Sequence, residues 1–192
     1  GKRIGITRIH IEEDAGKLVH ENGYTYIDYN RSGVPLIEIV SEPDISSAEE
    51  AKEYAEKLQL TMRYIGISDC KMQEGSMRCD VNLSLRKPGD TKFGVRTEIK
   101  NINSLSFIQK AIVAEAERQA DILEAGGTIV QQTMRYDEKT DSVAPMRDKE
   151  NSDDYRYFPD PDILRFSIDE EKVEEIRASL PELHFDKLKR YM

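Results

Sequence analysis

Tryptophan is absent from this sequence and cysteine occurs only twice. Cys70 and Cys79 lack the Cys-x-x-Cys spacing of a zinc or redox motif, which leaves two free thiols and suits a reducing compartment. No run of 18 apolar residues occurs, so no membrane-spanning helix is encoded. No signal-peptide pattern stands at the start either, and together these features point to a cytoplasmic setting without a membrane partner. Walker A and GxGxxG sequences are both missing, so any nucleotide must be held by side chains and metal rather than by a glycine-rich loop. Basic residues are in the minority, 28 against 37 acidic, for a net charge of −9. Such a chain makes only local, specific contact with nucleic acid, not contact through a broad basic patch.

What is present reads as a globular domain. The 192 residues, 38% of them hydrophobic and 34% charged, suffice for one sizeable core. The most regular stretch is SMRCDVNLSLR (76–86) followed by FGVRTEIKN (93–101). In the first, Met77, Cys79, Val81, Leu83 and Leu85 alternate with Arg78, Asp80, Asn82, Ser84 and Arg86. In the second, Phe93, Val95, Thr97 and Ile99 alternate with Gly94, Arg96, Glu98 and Lys100. Period-2 alternation around KPGDT predicts a hairpin with one apolar and one polar face. A loop over 87–91 sets Asp80 opposite Glu98 and Asn82 opposite Arg96. Facing carboxylates repel unless a cation lies between them. The polar face is therefore either a divalent-metal platform with phosphate-binding Arg and Lys, or a solvated outer face.

The rest of the chain frames that hairpin. Residues 2–14 form a strand whose isoleucines change parity, which places a bulge near Thr7–Arg8. His10 and Glu12 share its polar side, Glu13 and Asp14 follow, and Ala15–Lys17 turns. A second strand covers 24–30. VPLIEIVSE (34–42) is nearly continuous in apolar residues, the mark of a strand covered on both faces, and makes Glu38 a costly carboxylate unless paired or metal-bound. Helices follow over 47–66 and 104–125. The first carries a stripe of Tyr54, Ala55, Leu58, Met62 and Ile65, the second a face of Leu105, Ile108, Ile112, Ala116, Ala120 and Leu123. Between them Asp69–Glu74 reads as a short strand presenting Lys71. Later strands are expected over 131–136 and 142–147, then an aromatic strap at 151–162, a helix over 169–179 and the start of another from 185. The expectation is an α+β fold, an antiparallel sheet with helices packed on one face. The acids Glu12, Glu13, Glu38, Asp80 and Glu98 then lie on one sheet, with Lys71, Arg78, Arg96 and Lys100 nearby. Oxygen ligands suit Mg²⁺, and carboxylates interleaved with cations suit phosphoryl transfer.

IHIEEDAGK (9–17), DYNRSGVPLIEIVSEPD (28–44), SMRCDVNLSLR (76–86), EIKNINS (98–104) and SDDYRYFPDPD (152–162) resemble the B subunits of aspartyl/glutamyl-tRNA amidotransferases. The resemblance spans essentially the whole chain. It implies a cradle catalytic domain like those of glutamine synthetase and guanido kinases over 1–180, with 181–192 the start of a connection to a C-terminal helical domain. It also implies ATP- and Mg²⁺-dependent phosphorylation of the side-chain carboxylate of Glu-tRNA(Gln) or Asp-tRNA(Asn). Ammonia from a glutaminase A subunit then displaces the phosphate, in a complex with a C subunit. The family's magnesium positions fall on Glu12, Glu13, Asp80 and Glu98, and Glu38 joins them by its setting. Arg78, Lys71 and Lys100 are the phosphate candidates, with Asp80, Glu98, Arg78 and Lys100 as the catalytic set. His10, Asn101, Tyr155 and Tyr157 are the substrate candidates. A non-catalytic acidic docking module and a small-molecule carboxylate–amine ligase are the alternatives.

The chain opens inside a strand, and the resemblance implies that a preceding strand carrying a further His and Glu, and a tRNA-gripping tail, are parts of the complete protein. The fragment alone is therefore expected to bind Mg²⁺ weakly and to be inactive. Titration calorimetry showing tight Mg²⁺ binding, together with full kinase activity, would refute this.

Overall fold

The computed structural model describes residues 1–146, 165 and 167–192. It divides into two compact units, Gly1–Ser47 and Ala48–Met192.

The first unit is all strand. β1 (Ile6–Glu13) pairs antiparallel with β4 (Pro35–Ser41), and β2 (Lys17–Glu21) pairs with β3 (Tyr24–Asp28). Thr7 is the extra residue between the Ile6–Ser41 and Arg8–Val40 pairs, so the bulge falls where the parity change requires it. Strand β2 was not anticipated. Asn22 and Gly23 both have positive φ, 51° and 78°, and join Glu21 to Tyr24 as a two-residue turn of the type that Asn-Gly favours. At the open end, Arg31 Nε lies 2.6 Å from Asp14 Oδ2, and Gly33 N donates to Asp14 O. Asp14 is thus a structural acid. β4 is not covered on both faces as expected: it belongs to a two-stranded ribbon in which Ile9, Ile11 and Ile37 remain 62%, 72% and 43% exposed.

The second unit holds the core. α1 (Ala48–Tyr64) starts directly after Ser47, and then come β5 (Cys79–Leu83), β6 (Thr97–Ile102), α2 (Leu105–Glu124), β7 (Thr133–Asp137), β8 (Ser142–Pro145), α3 (Glu170–Ser179) and α4 (His184–Tyr191). Asp69–Glu74 is a turn, not a strand, and Cys70 there has φ +50°. The sheet order is β5-β6-β7-β8. The architecture is α+β, but the sheet is mixed: β6 and β7 run parallel, because α2 carries the chain from the end of one back to the start of the other. β1 and β4 belong to a separate sheet, so the five acids do not share one.

α2 begins at Ser104, whose side chain accepts from Phe107 N and caps the helix. It packs on β5, β6 and β8, and α1 packs on α2. The expected apolar face of α2 is rotated. Its fully buried line is Ile108, Ala111, Glu115 and Gln119, at i+3/i+4 spacing with two polar members. Glu115 Oε1 accepts from the Thr97 hydroxyl at 2.7 Å and from Arg118 and Gln119. Gln119 Nε2 also reaches Thr97 Oγ1 and the Leu83 carbonyl, while its Oε1 accepts from Leu85 N. Burial alone pushes the Glu115 carboxyl up, but the donors around it outweigh that and hold it below its ordinary value.

A depressed folded-state value contributes stability above the ordinary glutamate range and loses it as pH falls through the lower folded value. Glu115→Ala leaves three donors without their acceptor and should cost about 2–4 kcal/mol in urea unfolding at pH 7. Wild type should also lose more stability than Glu115→Gln as pH drops below the ordinary glutamate range. Equal pH dependence in the two would contradict this reading of the network.

Candidate active-site surface

Helix α2 covers the sheet face that carries Thr97, Ile99, Val81 and Leu83, so alternation turns Asp80, Asn82, Glu98 and Lys100 to the opposite, polar face. That division of faces matches the expectation. The register does not. Asn82 pairs with Glu98, not Arg96, and Leu83 pairs with Thr97. Between the Val81–Ile99 and Cys79–Ile102 pairs, β6 has one residue more than β5, so Lys100 and Asn101 together face Asp80. The bulge re-aims Lys100. Its Nζ lies 3.5 Å from Asp80 Oδ2 and 3.5 Å from Glu98 Oε1.

Asp80 and Glu98 were expected to stand directly opposite each other with a cation between them; they are not cross-strand partners, and the cation that bridges them on the shared face is an ammonium. Burial pushes the Asp80 carboxyl up from its ordinary value and Glu98 adds to this, against the downward pull of Lys100 and Arg78. Burial works against the Lys100 charge, but the two carboxylates outweigh it and raise the ammonium above its ordinary value. All three side chains are only partly covered, so each pair contributes at most about 1 kcal/mol to stability. The arrangement is held by geometry rather than by strength. Thr133 Oγ1, on β7, approaches Glu98 Oε2 at 3.5 Å. Cys79, next in the chain to Asp80, has its thiol pushed up to about 11 by burial, which leaves it inert near neutrality.

Other sequence-predicted residues are placed as follows. Lys71 is engaged by Glu74, at 3.0 Å, and by Asp69, at 3.7 Å. His10 pairs with Glu38 across β1 and β4, and Arg8 Nη2 lies 3.2 Å from Glu38 Oε2. Glu38 is therefore a half-exposed partner of arginine, not a carboxylate sealed between isoleucines. Strand alternation puts Glu12 on the face of His10 and Glu38, and Glu13 on the other. Asn101 lies in the β6 bulge. Tyr155 and Tyr157 fall outside the described residues. Neither unit by itself gathers three His, Cys, Asp or Glu side chains at metal-binding spacing among the described residues. The oxygen pair Asp80–Glu98 still fits a hard cation that takes one or two carboxylates and fills its shell with water and ligand oxygens.

Two residues of the surface escaped sequence reasoning. Phe93 and Val95 were assigned to the apolar face with Thr97 and Ile99, yet they are 58% and 47% exposed. A Cβ at Gly94 would sit 2.2 Å from the Leu85 carbonyl oxygen. This close approach breaks the alternation and sets Phe93 beside Arg86, whose guanidinium carbon is 5.0 Å from the ring centre. The glycine itself was the available signal.

This sheet face presents a carboxylate pair astride an ammonium, so both signs of charge are available to a polar ligand. The chain belongs to the GatB/GatE catalytic domain family, whose model matches residues 1–174. Over 192 residues it is 56% identical to the B subunit of the aspartyl/glutamyl-tRNA(Asn/Gln) amidotransferase of Bacillus velezensis. Over 191 residues it is 59% identical to the protein of that name from Persephonella marina, and over 192 it is 57% identical to that of Geobacillus thermodenitrificans. The chain is covered completely in each comparison and spans 40% of the relative's length.

Because Asp80 is raised in the folded protein, the unfolded chain loses that proton first as pH climbs, and ionised Asp80 opposes folding at neutrality. Asp80→Asn should therefore melt no lower than wild type at pH 7. In Lys100→Met, a carboxylate NMR titration should find Asp80 higher still, since its largest downward influence is gone. An Asp80 titration that is unmoved or lowered would contradict the assignment of Lys100 as the bridging cation.

Proposed function

We propose that this chain is the ATP-using portion of the B subunit of a tRNA-dependent amidotransferase. In this reading an oxygen of the side-chain carboxylate of Glu-tRNA(Gln) or Asp-tRNA(Asn) attacks the terminal phosphorus of ATP, and ADP departs. Ammonia released from glutamine by a glutaminase A subunit then attacks the activated carbonyl carbon, and phosphate departs to leave the amide. A C subunit completes the heterotrimer, which works in the cytoplasm. The carrying observation is the 56% identity over all 192 residues to a protein of that name.

The second unit supplies groups suited to the first of these steps. Mg²⁺ held by Asp80 and Glu98, with nucleotide oxygens and water completing its shell, would neutralise charge and align the phosphoryl group. Lys100 keeps its proton at neutral pH, and its two long, partly exposed contacts would be weak competitors for a phosphate oxygen. Arg78 adds positive charge beside Asp80. Lys71 reaches phosphate only by leaving Glu74. In the first unit, Glu12, Glu13 and Glu38 are the further carboxylates that the reading assigns to magnesium. His10, Asn101, Tyr155 and Tyr157 are assigned to the aminoacyl end. The cradle relationship to glutamine synthetase and guanido kinases is part of the same proposal.

The test is ATP hydrolysis by the assembled heterotrimer. Hydrolysis should require misacylated tRNA and should fall on the order of 100-fold or more in Asp80→Asn and Glu98→Gln with melting unchanged. Hydrolysis triggered by a free amino acid would instead assign a small-molecule ligase. No hydrolysis under any condition would leave a docking module.

A further inference from the structure

The four strands of the sheet carry only two cations, Lys100 on β6 and Arg135 on β7. They are register partners in the parallel β6–β7 pair, so their side chains leave the sheet on the same side. That side is the polar one. Met134 and Tyr136, which flank Arg135, are buried, and the Tyr136 ring packs against Phe107 of α2 with 5.6 Å between centres. Thr133, two residues before Arg135, turns the other way and approaches Glu98. Like charges on neighbouring strands repel, and Lys100 answers this by leaning on Asp80 and Glu98. Arg135 has no such relief: among the described residues no carboxylate pairs with it. Asp137, the one acid of its strand, instead accepts from Lys139 N at 2.9 Å. Its neighbour on β8 is Ala144, whose small, exposed side chain leaves the guanidinium uncovered.

Charge therefore changes sign across the face, from Asp80 on β5, through Glu98 and Lys100 on β6, to Arg135 on β7. Neighbouring strands lie about 4.8 Å apart, so the backbones at Asp80 and Arg135 are about 10 Å apart with Lys100 between them. The β5–β6 side offers carboxylate oxygens and the β6–β7 side offers two adjacent cations. A guanidinium stays charged at any working pH and presents a planar fork that grips two oxygens of one phosphate. A single carboxylate is neutralised by one cation. An ammonium beside an unpaired guanidinium instead suits an oxyanion carrying more than one charge, such as a phosphoryl group.

We propose that Arg135 is a catalytic residue that holds the phosphoryl group in transit. With Lys100 it contacts the oxygens of the terminal phosphoryl group. A side-chain carboxylate oxygen of the substrate forms the new bond to phosphorus, and the bond from phosphorus to the bridging oxygen breaks, its electron pair leaving with ADP. No proton moves in this step. Charge spreads over the three outer oxygens as the group passes between donor and acceptor, and a fixed guanidinium stabilises that charge. The inference rests on the reading above that this sheet face uses ATP, and adds which residue acts on the transferred group.

The experiment is titration calorimetry on the assembled heterotrimer with two probes, Mg-ADP alone and Mg-ADP with aluminium fluoride, which imitates the phosphoryl group in flight. Arg135→Met should leave ADP affinity unchanged and weaken the ADP–aluminium fluoride complex on the order of 100-fold or more. The kcat for ATP hydrolysis with misacylated tRNA should fall by a similar factor while the KM for ATP holds. Arg135 is exposed and unpaired among the described residues, so the substitution is compatible with folding, and an unchanged melting curve verifies it. An ADP–aluminium fluoride complex as tight in Arg135→Met as in wild type overturns the role of Arg135 alone, as does parallel weakening of both probes. A change confined to the KM for misacylated tRNA assigns Arg135 to an RNA contact and overturns the proposal as well. A wild-type heterotrimer that binds neither probe overturns both this role and the reading beneath it.

Discussion

A single glutamine amide ties the second unit together. Gln119 accepts from Leu85 N and donates towards the Leu83 carbonyl, the Thr97 hydroxyl and Glu115. These groups lie at the point where β5 and β6 stop pairing regularly. The helix therefore does more than cover the sheet. It satisfies the backbone groups that the hairpin leaves open, and in doing so sets where the hairpin opens. Beyond that point the chain crosses closely at Leu85 and Gly94 and the alternation breaks. A buried network of this kind tolerates no unsatisfied member, so it specifies one docking of α2 on the sheet, where an all-apolar face would permit sliding. The faces of β5 and β6, and with them the set of charges on the open side, follow from that docking.

The open side shows the opposite economy. Asp80 is raised by its surroundings and gains little from its neighbours, and Lys100 bridges two carboxylates at long range. Nothing in this arrangement is optimal for stability. The bulged strand keeps two acids on one face with a single lysine bridging them at long range, an arrangement set by strand geometry and not by the strength of the pairs. One face of the sheet thus carries a buried hydrogen-bonded network and the other a set of partly exposed charges bridged at long range.

Features with a local cause were legible in the sequence. Parity alone placed the bulge near Thr7–Arg8 and assigned Asp80, Asn82, Glu98 and Lys100 to a common polar face, because side chains in a strand alternate without exception until an irregularity intervenes. The start of α2 was equally local: the sequence placed it at Asn103 or Ser104, and Ser104 is the cap. What failed depended on distant partners. The pairing of Asn82 with Glu98 is set by Gln119 and the Leu85–Gly94 crossing, not by loop length. The buried face of α2 was misread because Glu115 and Gln119 look like surface residues until Thr97 is known to lie beneath them. Glu38 seemed sealed because a continuous apolar run marks a doubly covered strand, yet an exposed ribbon presents the same run. The β2–β3 hairpin is a different case: Asn22-Gly23 was a local signal, and it was passed over.

The parallel pairing of β6 with β7 also orders events in time. β5 and β6 are joined by thirteen residues, whereas β7 reaches β6 only after some thirty have been gathered in, twenty of them as α2. Parallel strands joined by a crossover are entropically late. Until α2 has formed and seated Gln119, the β7-facing edge of β6 stands unpaired, with Thr97 and Ile99 uncovered. A chain in which α2 has not docked would present the strand bearing Glu98 and Lys100 as an unpaired edge, the kind that admits misregistered or intermolecular pairing.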